Sequence, residues 1–121
     1  MFDDVEVVLT EGYIADFSVL PAKDRARVER RVSMLEQKRW SAAMTDGTVT
    51  PLQDGIYELR ILGRGAAYRV LFFVVPGRSP RLVVLTACVA KSVMAKRPQL
   101  NAQIARARAR RIAWLQEQEM G

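Results

Sequence analysis

The sequence contains no histidine and a single cysteine, Cys88. With one cysteine no disulfide can form within the chain, and without histidine a Cys/His zinc site is excluded. Any acid–base chemistry must therefore use lysine, tyrosine, aspartate or glutamate. No apolar run approaches the roughly 20 residues that span a bilayer, and the acidic start MFDDVE is unlike a signal peptide. We therefore expect a cytoplasmic protein with no membrane contact.

Acidic residues are absent from one long stretch of the chain, between Leu59 and Gln116. Residues 1–58 hold 7 Lys/Arg and 11 Asp/Glu, whereas residues 59–121 hold 12 Lys/Arg and only two glutamates. The overall charge of +6 therefore conceals an acidic first half and a strongly basic second half. An uninterrupted basic block favours nucleic acid as the partner, with an acidic protein or a solvated basic surface as the alternatives.

The length of 121 residues indicates one domain, residues 1–121. Alternating and helical apolar spacings predict the order β–αα–β–β–β–α. Thr10 is a candidate N-cap for the first helix, and Pro21 begins the second. The segment from Trp40 to Gln53 is turn-rich and is expected to connect to the sheet. The fold class is α+β: a small antiparallel sheet with an N-terminal helical hairpin and a C-terminal helix, the helices on one face.

Two predicted strands carry arginine within an alternating pattern, in the stretch DGIYELRILGRGAAYRVLFF. The period of two predicts half-buried strands on either side of a glycine-rich turn. Arg60 and Arg69 then lie on neighbouring antiparallel strands, where two side chains can converge on one anion. The next apolar run, LVVLTACV, is expected to be a central strand covered on both faces.

Several cofactor and metal motifs are missing. GRGAA lacks the spacing and the strand–helix context of a dinucleotide site, and no Walker A sequence is present. The basic half also has no carboxylate cluster that could hold magnesium. We therefore expect neither a cofactor nor a metal.

Arginine, lysine and tyrosine are the remaining groups that could act on a substrate. Guanidinium groups bind phosphates and tyrosines can stack on bases, so this set can bind RNA. It can also stabilise the charge that develops when a 2′-hydroxyl attacks its adjacent phosphate. A lysine or a tyrosine would then move the protons, because arginine titrates too high. Arg27, Arg30 and Arg31 of the second helix are read mainly as scaffold, with contact to a nucleic-acid backbone as the alternative.

The motifs LxDGIYELRI, YRVLFF and LVVLTA, followed by a basic loop, Pro98 and an arginine-rich helix, closely resemble those of RelE/HigB-type toxins. The pattern is nearest the HigB or phage-derived Gp49-like branch of these bacterial type II toxin–antitoxin toxins. The resemblance implies a RelE-like fold and a ribosome-dependent, metal-independent endonuclease that cuts mRNA and inhibits translation. It also implies a cognate antitoxin with a helix-turn-helix domain, through which alone the protein would reach operator DNA.

Carried over by position, the resemblance implies catalytic roles for Arg69, Arg60 and Lys91. Further RNA contacts are expected from Arg64, Tyr68, Lys96 and Arg97. Many relatives carry histidine where this chain has Thr86, so the general acid and base stay open. Two alternatives also stay open: a non-catalytic homologue that binds only antitoxin or ribosome, and a ParE-like toxin that inhibits gyrase.

Overall fold

The computed structural model describes residues 4–62 and 66–120. Its elements follow one another as strands, helices and one short 3-10 helix. In chain order they are β1 (Val5–Leu9), α1 (Glu11–Ser18), α2 (Ala22–Gln37), α3 (Trp40–Thr45), β2 (Val49–Pro51), β3 (Tyr57–Ile61), β4 (Tyr68–Val75), β5 (Arg81–Ala90), the 3-10 helix Lys91–Met94 and α4 (Arg97–Met120).

The strands form one five-stranded sheet in the order β1-β5-β4-β3-β2. The predicted α+β class is confirmed, but the sheet is mixed rather than purely antiparallel. Strands β2 to β5 pair antiparallel in sequence order, whereas β1 pairs parallel to β5. The direction of β1 is not set by a hairpin, because most of the chain separates it from β5. Parallel pairing requires such a long connection.

Helices cover both faces of the sheet, so the expectation that they lie on one face was wrong. The core on the first face joins the sheet to α1, α2 and α3, through buried Tyr13, Val28, Leu35 and Ala43. The core on the second face joins it to α4, through Ile104 and Ala107. Two layers are needed because successive residues of β4 and β5 are buried on both sides. The prediction that β5 is covered on both faces is confirmed.

The N-terminal helical hairpin forms as expected. The Thr10 hydroxyl accepts the Tyr13 N–H at 3.1 Å, as an N-cap does, and itself donates to the Leu85 carbonyl at 2.9 Å. Pro21 lies immediately before the first residue of α2, where its fixed φ is compatible with a helix start. This hairpin therefore begins directly on the sheet, since Leu85 belongs to β5.

The segment between α2 and β3 holds more structure than a connection. It contains α3 and the short edge strand β2, in which Val49 pairs with Leu59. Trp40 at the start of α3 packs edge-on against Tyr57 and Phe72, with ring centroids 5.4 and 6.2 Å away. A turn-rich composition concealed these elements because tertiary packing stabilises them more than local propensity does.

The sequence predicts that Leu100, Ile104, Ile112 and Leu115 form the apolar stripe of the last helix, and the buried face of α4 differs from that stripe in its second half. Ile104 is buried, but Ile112 is 52% exposed, and Trp114 instead packs against Phe73 at 5.8 Å. Ile112 is eight residues after Ile104, which at 3.6 residues per turn rotates it by about 80° from that position. Ala107, too small to stand out in the sequence, lies closer to the centre of the buried face. No helix within 4–62 or 66–120 combines the length and apolar character needed to cross a membrane.

An ion-pair cluster around Asp16 holds α4 against the rest of the protein. Its carboxylate accepts from Arg106 at 2.5 Å and from Arg110 at 2.8 Å, and also from the Cys88 backbone N–H at 3.1 Å. Arg110 further donates to the Thr86 carbonyl at 2.9 Å. These contacts give hydrogen-bond partners to backbone groups of Thr86 and Cys88. Both residues lie beyond the last residue of β5 that pairs with β1, where the strand edge would otherwise be open.

Replacing Asp16 with alanine is expected to lower the free energy of unfolding by about 3 kcal/mol, because two arginines and one strand N–H lose a nearly buried carboxylate. Arg108→Ala is the matched control, since the Asp54–Arg108 pair is about half exposed and exposed pairs contribute about 0.5 kcal/mol. Urea denaturation of both variants measures the difference. Equal effects of the two substitutions would contradict the structural role of Asp16.

Candidate functional site

The two arginines predicted to converge are direct cross-strand partners. In the β3–β4 register, Arg60 pairs with Arg69 and Glu58 pairs with Leu71. Because β-strand side chains alternate, these four residues share the sheet face that carries α4. Leu59 and Val70, one position away, are completely buried on the opposite face. The apolar alternation therefore fixes the register that places the arginines together.

Glu58 lies between the two arginines and was missed as a site residue. Its carboxylate lies 3.5 Å from Arg60 Nε and 3.6 Å from Arg69 Nε. Like charges directly opposite each other destabilise a sheet, so this carboxylate compensates for the repulsion of the pair. The spacing of Glu58 and Arg60, two residues apart in a predicted strand, was the signal that they share a face.

The three side chains differ in burial. Those of Arg69 and Glu58 are 9% and 10% exposed, whereas the Arg60 side chain is 48% exposed. Arg69 is also held by a 3.1 Å hydrogen bond to the Tyr68 carbonyl. Arg69 is therefore a fixed group at the base of the site, and Arg60 is the one that solvent reaches.

Lys91 lies at the same end of the sheet. Its backbone N–H donates to the Ala67 carbonyl at 2.8 Å, just before β4 begins, and its side chain is exposed. Lys96 and Arg97 follow, both exposed, where the 3-10 helix leads into α4. The predicted basic loop thus returns to the strand ends that carry Arg60 and Arg69. The remaining predicted RNA contact, Arg64, lies outside the described residues.

Tyr68 lies on the opposite side of the sheet from the arginine pair. Its ring is only 6% exposed, and its hydroxyl donates to Asp24 of α2 at 2.6 Å. The hydrogen bond to Asp24 and burial raise the pKa of Tyr68. The bonds from Tyr68 and Arg27 lower the pKa of Asp24. The structure therefore places Tyr68 in a contact between α2 and the sheet, with no free ring face for stacking.

Two side chains of β5 that are named in the sequence analysis, Thr86 and Cys88, are also buried. Thr86 is completely buried, and its hydroxyl donates to the Leu71 carbonyl at 2.9 Å beside a bulge in the β4–β5 pairing. Cys88 is buried, and this burial raises the pKa of its thiol to about 12. In the described ranges, no group of three or more acidic or cysteine side chains is placed to hold a metal ion.

The arginines of α4 are largely engaged within the protein. Arg106 and Arg110 bind Asp16, Arg108 pairs with Asp54, and Arg111 donates to the Asp54 carbonyl at 2.7 Å. The acidic first half of the chain thus neutralises part of the basic second half. Within the described residues, by contrast, no ion pair joins Lys91, Lys96 or Arg97 to an acid.

A mixed five-stranded sheet, helices on both faces and a C-terminal helix define an α+β protein with a RelE-like fold. A model of the family described as Phage derived protein Gp49-like (DUF891) matches residues 15–110. Because the match spans most of the sequence, the chain belongs to the Gp49-like phage-derived family, one of the RelE/HigB-like toxin families. A search of curated proteins found no match.

The Tyr68–Asp24 hydrogen bond predicts a pH-dependent contribution to stability. It needs ionised Asp24, whose pKa is lowered on folding, so its stabilisation is present above about pH 4 and is lost as the pH falls further. It also needs protonated Tyr68, whose raised pKa keeps it protonated up to at least about pH 10. Tyr68→Phe is therefore expected to be less stable than the unmodified protein at pH 7, and the difference should shrink at about pH 2.5.

Chemical denaturation at both pH values measures this change. Tyr57→Phe is the matched control, because its ring packs in the same core while no described hydrogen bond uses its hydroxyl. A Tyr68→Phe difference that stays the same at both pH values would show that ionised Asp24 is not the partner.

Proposed function

We propose that this protein is the toxin of a type II toxin–antitoxin system and that it cleaves mRNA on the translating ribosome. One observation carries the proposal: Arg60 and Arg69 lie opposite each other beside a carboxylate, at a basic end of the sheet. Membership of the Gp49-like family supports the toxin class. Cleavage of mRNA is inferred from the chemistry of the side chains at this site.

The arginines would act on the phosphate. When the 2′-oxygen of a nucleotide attacks the adjacent phosphorus, the pentavalent transition state carries additional negative charge on its free oxygens. Arg69, fixed by its burial and its backbone hydrogen bond, is prepositioned to stabilise that charge. Arg60, being more exposed, would bind the incoming phosphate first.

Glu58 would accept the proton of the attacking 2′-hydroxyl. Its carboxylate lies within 3.6 Å of both guanidinium groups, and a phosphate bound there would bring the adjacent 2′-hydroxyl close to it. Attack forms the bond from the 2′-oxygen to phosphorus and breaks the bond to the 5′-oxygen. That leaving oxygen must gain a proton, which Lys91 would supply from the exposed end of β5. The products are a 2′,3′-cyclic phosphate and a 5′-hydroxyl.

The basic segment after β5 would bind flanking phosphates. Lys96 and Arg97 are exposed beside Lys91, and such contacts add affinity without sequence preference. The protein would act in the cytoplasm, where mRNA is translated. A cognate antitoxin with a helix-turn-helix domain would neutralise it and connect it to operator DNA.

Arg60→Ala and Arg69→Lys are each expected to lower cleavage by about 10²-fold or more, because each removes a guanidinium from the transition-state phosphate. The lysine variant keeps a positive charge beside Glu58, which protects the fold while losing the planar fork. The measurement is growth and the mapping of mRNA 5′ ends after induction without antitoxin. Arg78→Ala, at the opposite end of the sheet, is the control and should cleave normally.

The same experiment separates the alternatives. A homologue that only binds the ribosome would stop translation without codon-linked cuts, and a gyrase inhibitor would cause DNA damage and altered supercoiling. Full toxicity in an Arg60→Ala/Arg69→Lys double variant would show that the arginine pair is not part of the catalytic site.

Glu58→Gln should separate cleavage from binding. Glutamine keeps the shape of the side chain and one of its two acceptor oxygens but cannot take up a proton, so cleavage should fall by about 10²- to 10⁴-fold. RNA binding should become equal or tighter, because a negative charge beside two arginines is removed. Single-turnover cleavage of an mRNA on programmed ribosomes and fluorescence anisotropy with the same RNA measure the two effects. Cleavage retained in Glu58→Gln would show that another group accepts the proton.

A further inference from the structure

A groove lies between α2 and the end of β3, on the opposite side of the sheet from the Arg60 and Arg69 side chains. Its volume is about 300 Å³, and its lining is basic on one side and apolar on the other. The lining residues are Arg27, Arg30, Arg31, Met34, Ile61 and Leu62.

This groove reaches the proposed site around the edge of the sheet. Strand β2 covers β3 only as far as Leu59, so the edge of β3 is left without a partner strand beyond that point. There the Arg60 N–H bonds to the Thr48 carbonyl, and the Arg60 carbonyl accepts from Arg31 Nε at 3.1 Å. The backbone of Arg60 therefore contacts the groove while its side chain lies beside Arg69. The basic side chains of Arg31, Arg60 and Arg69 therefore lie one after another around the edge of β3, from one face of the sheet to the other.

The charge of the groove is not cancelled locally. Arg27 is paired with Asp24 at 2.6 Å, but no ion pair within the described ranges joins Arg30 or Arg31 to an acid. The other two acidic residues of α2, Glu29 and Glu36, are on its other flank, where they line a separate apolar groove with α1. The helix thus segregates its charges, and the positive side faces β3.

We propose that this groove binds a nucleotide of single-stranded RNA that flanks the one cleaved at the arginine pair. The proposal rests on the proposed RNA-directed function. Arg30 and Arg31 would hold a phosphate, and the base would lie on Leu62 and Met34, which are 69% and 44% exposed. The RNA would therefore bend around the edge of β3 rather than lie across one face.

The combination of arginines with exposed apolar side chains favours RNA over an acidic protein segment. A carboxylate ligand would need only the guanidinium groups, whereas an unstacked base can lie against a guanidinium plane and the neighbouring apolar side chains while its phosphate is bound. Continuity with Arg60 adds a second reason, since consecutive phosphates of one strand could bind on either side of that residue.

The test compares the binding of two fluorescent single-stranded RNAs, about 3 and about 12 nucleotides long, to the full chain. The shorter RNA can reach only the arginine pair, whereas the longer one also reaches the groove. Arg30→Ala is expected to weaken binding of the longer RNA by about 3- to 10-fold and to leave the shorter one unaffected. The slope of log affinity against log salt should fall by about 0.7 for the longer RNA. Arg78→Ala is the matched control, an exposed arginine at the opposite end of the sheet.

Each other outcome identifies which proposal fails. If Arg60→Ala weakens binding but Arg30→Ala does not, the groove is not an RNA site and the proposed function is unaffected. If Arg30→Ala weakens binding but induction yields no mRNA cuts, the groove is supported as an RNA site and the cleavage proposal is wrong. If neither RNA binds, or if Arg30→Ala weakens binding only to an acidic antitoxin, the RNA subsite is overturned.

Discussion

The burial of β4 and β5 on both faces is the constraint on which the rest of the structure depends. Two apolar strand faces need two helical layers, so α4 must cover one while α1, α2 and α3 cover the other. With both faces occupied, the ends of the strands are where polar side chains can gather without disturbing either core. Arg60 is near the end of β3 and Arg69 is near the start of β4, which places them at one such end. The location of the candidate site follows from the packing.

The same constraint explains how the basic half of the chain is used. A helix that packs across the sheet brings its arginines beside acidic residues of the first half, and Asp16 and Asp54 pair with them. Gly12 makes this approach possible, because a Cβ there would lie 2.4 Å from Arg110 Nε. A basic stretch in a sequence therefore does not translate directly into a basic surface. Pairing inside the fold selects which arginines stay available to a ligand.

The sequence predicted the elements with strong periodicity, and it predicted that Arg60 and Arg69 lie on neighbouring antiparallel strands; the structure adds the register that makes them direct partners. It did not predict α3 or β2, which depend on the packing of Trp40 against two distant rings. Alternation places Tyr68 on the opposite face from its neighbour Arg69, so the strand pattern separates it from the arginine site, and the structure adds that α2 covers that face. Glu58 was visible in the pattern, yet its role depends on two arginines meeting across strands, which only the folded register establishes.

Glu58 balances the charge of the arginine pair. Without a ligand, the carboxylate balances two like charges that would otherwise repel each other across the strands. An RNA phosphate offers the same guanidinium groups a second acceptor, and its binding would loosen their hold on Glu58. Under the proposed function, the same side chain would balance the arginine charges in the free protein and accept a proton once RNA has bound. The arrangement would link proton transfer to substrate binding in a chain that has no histidine.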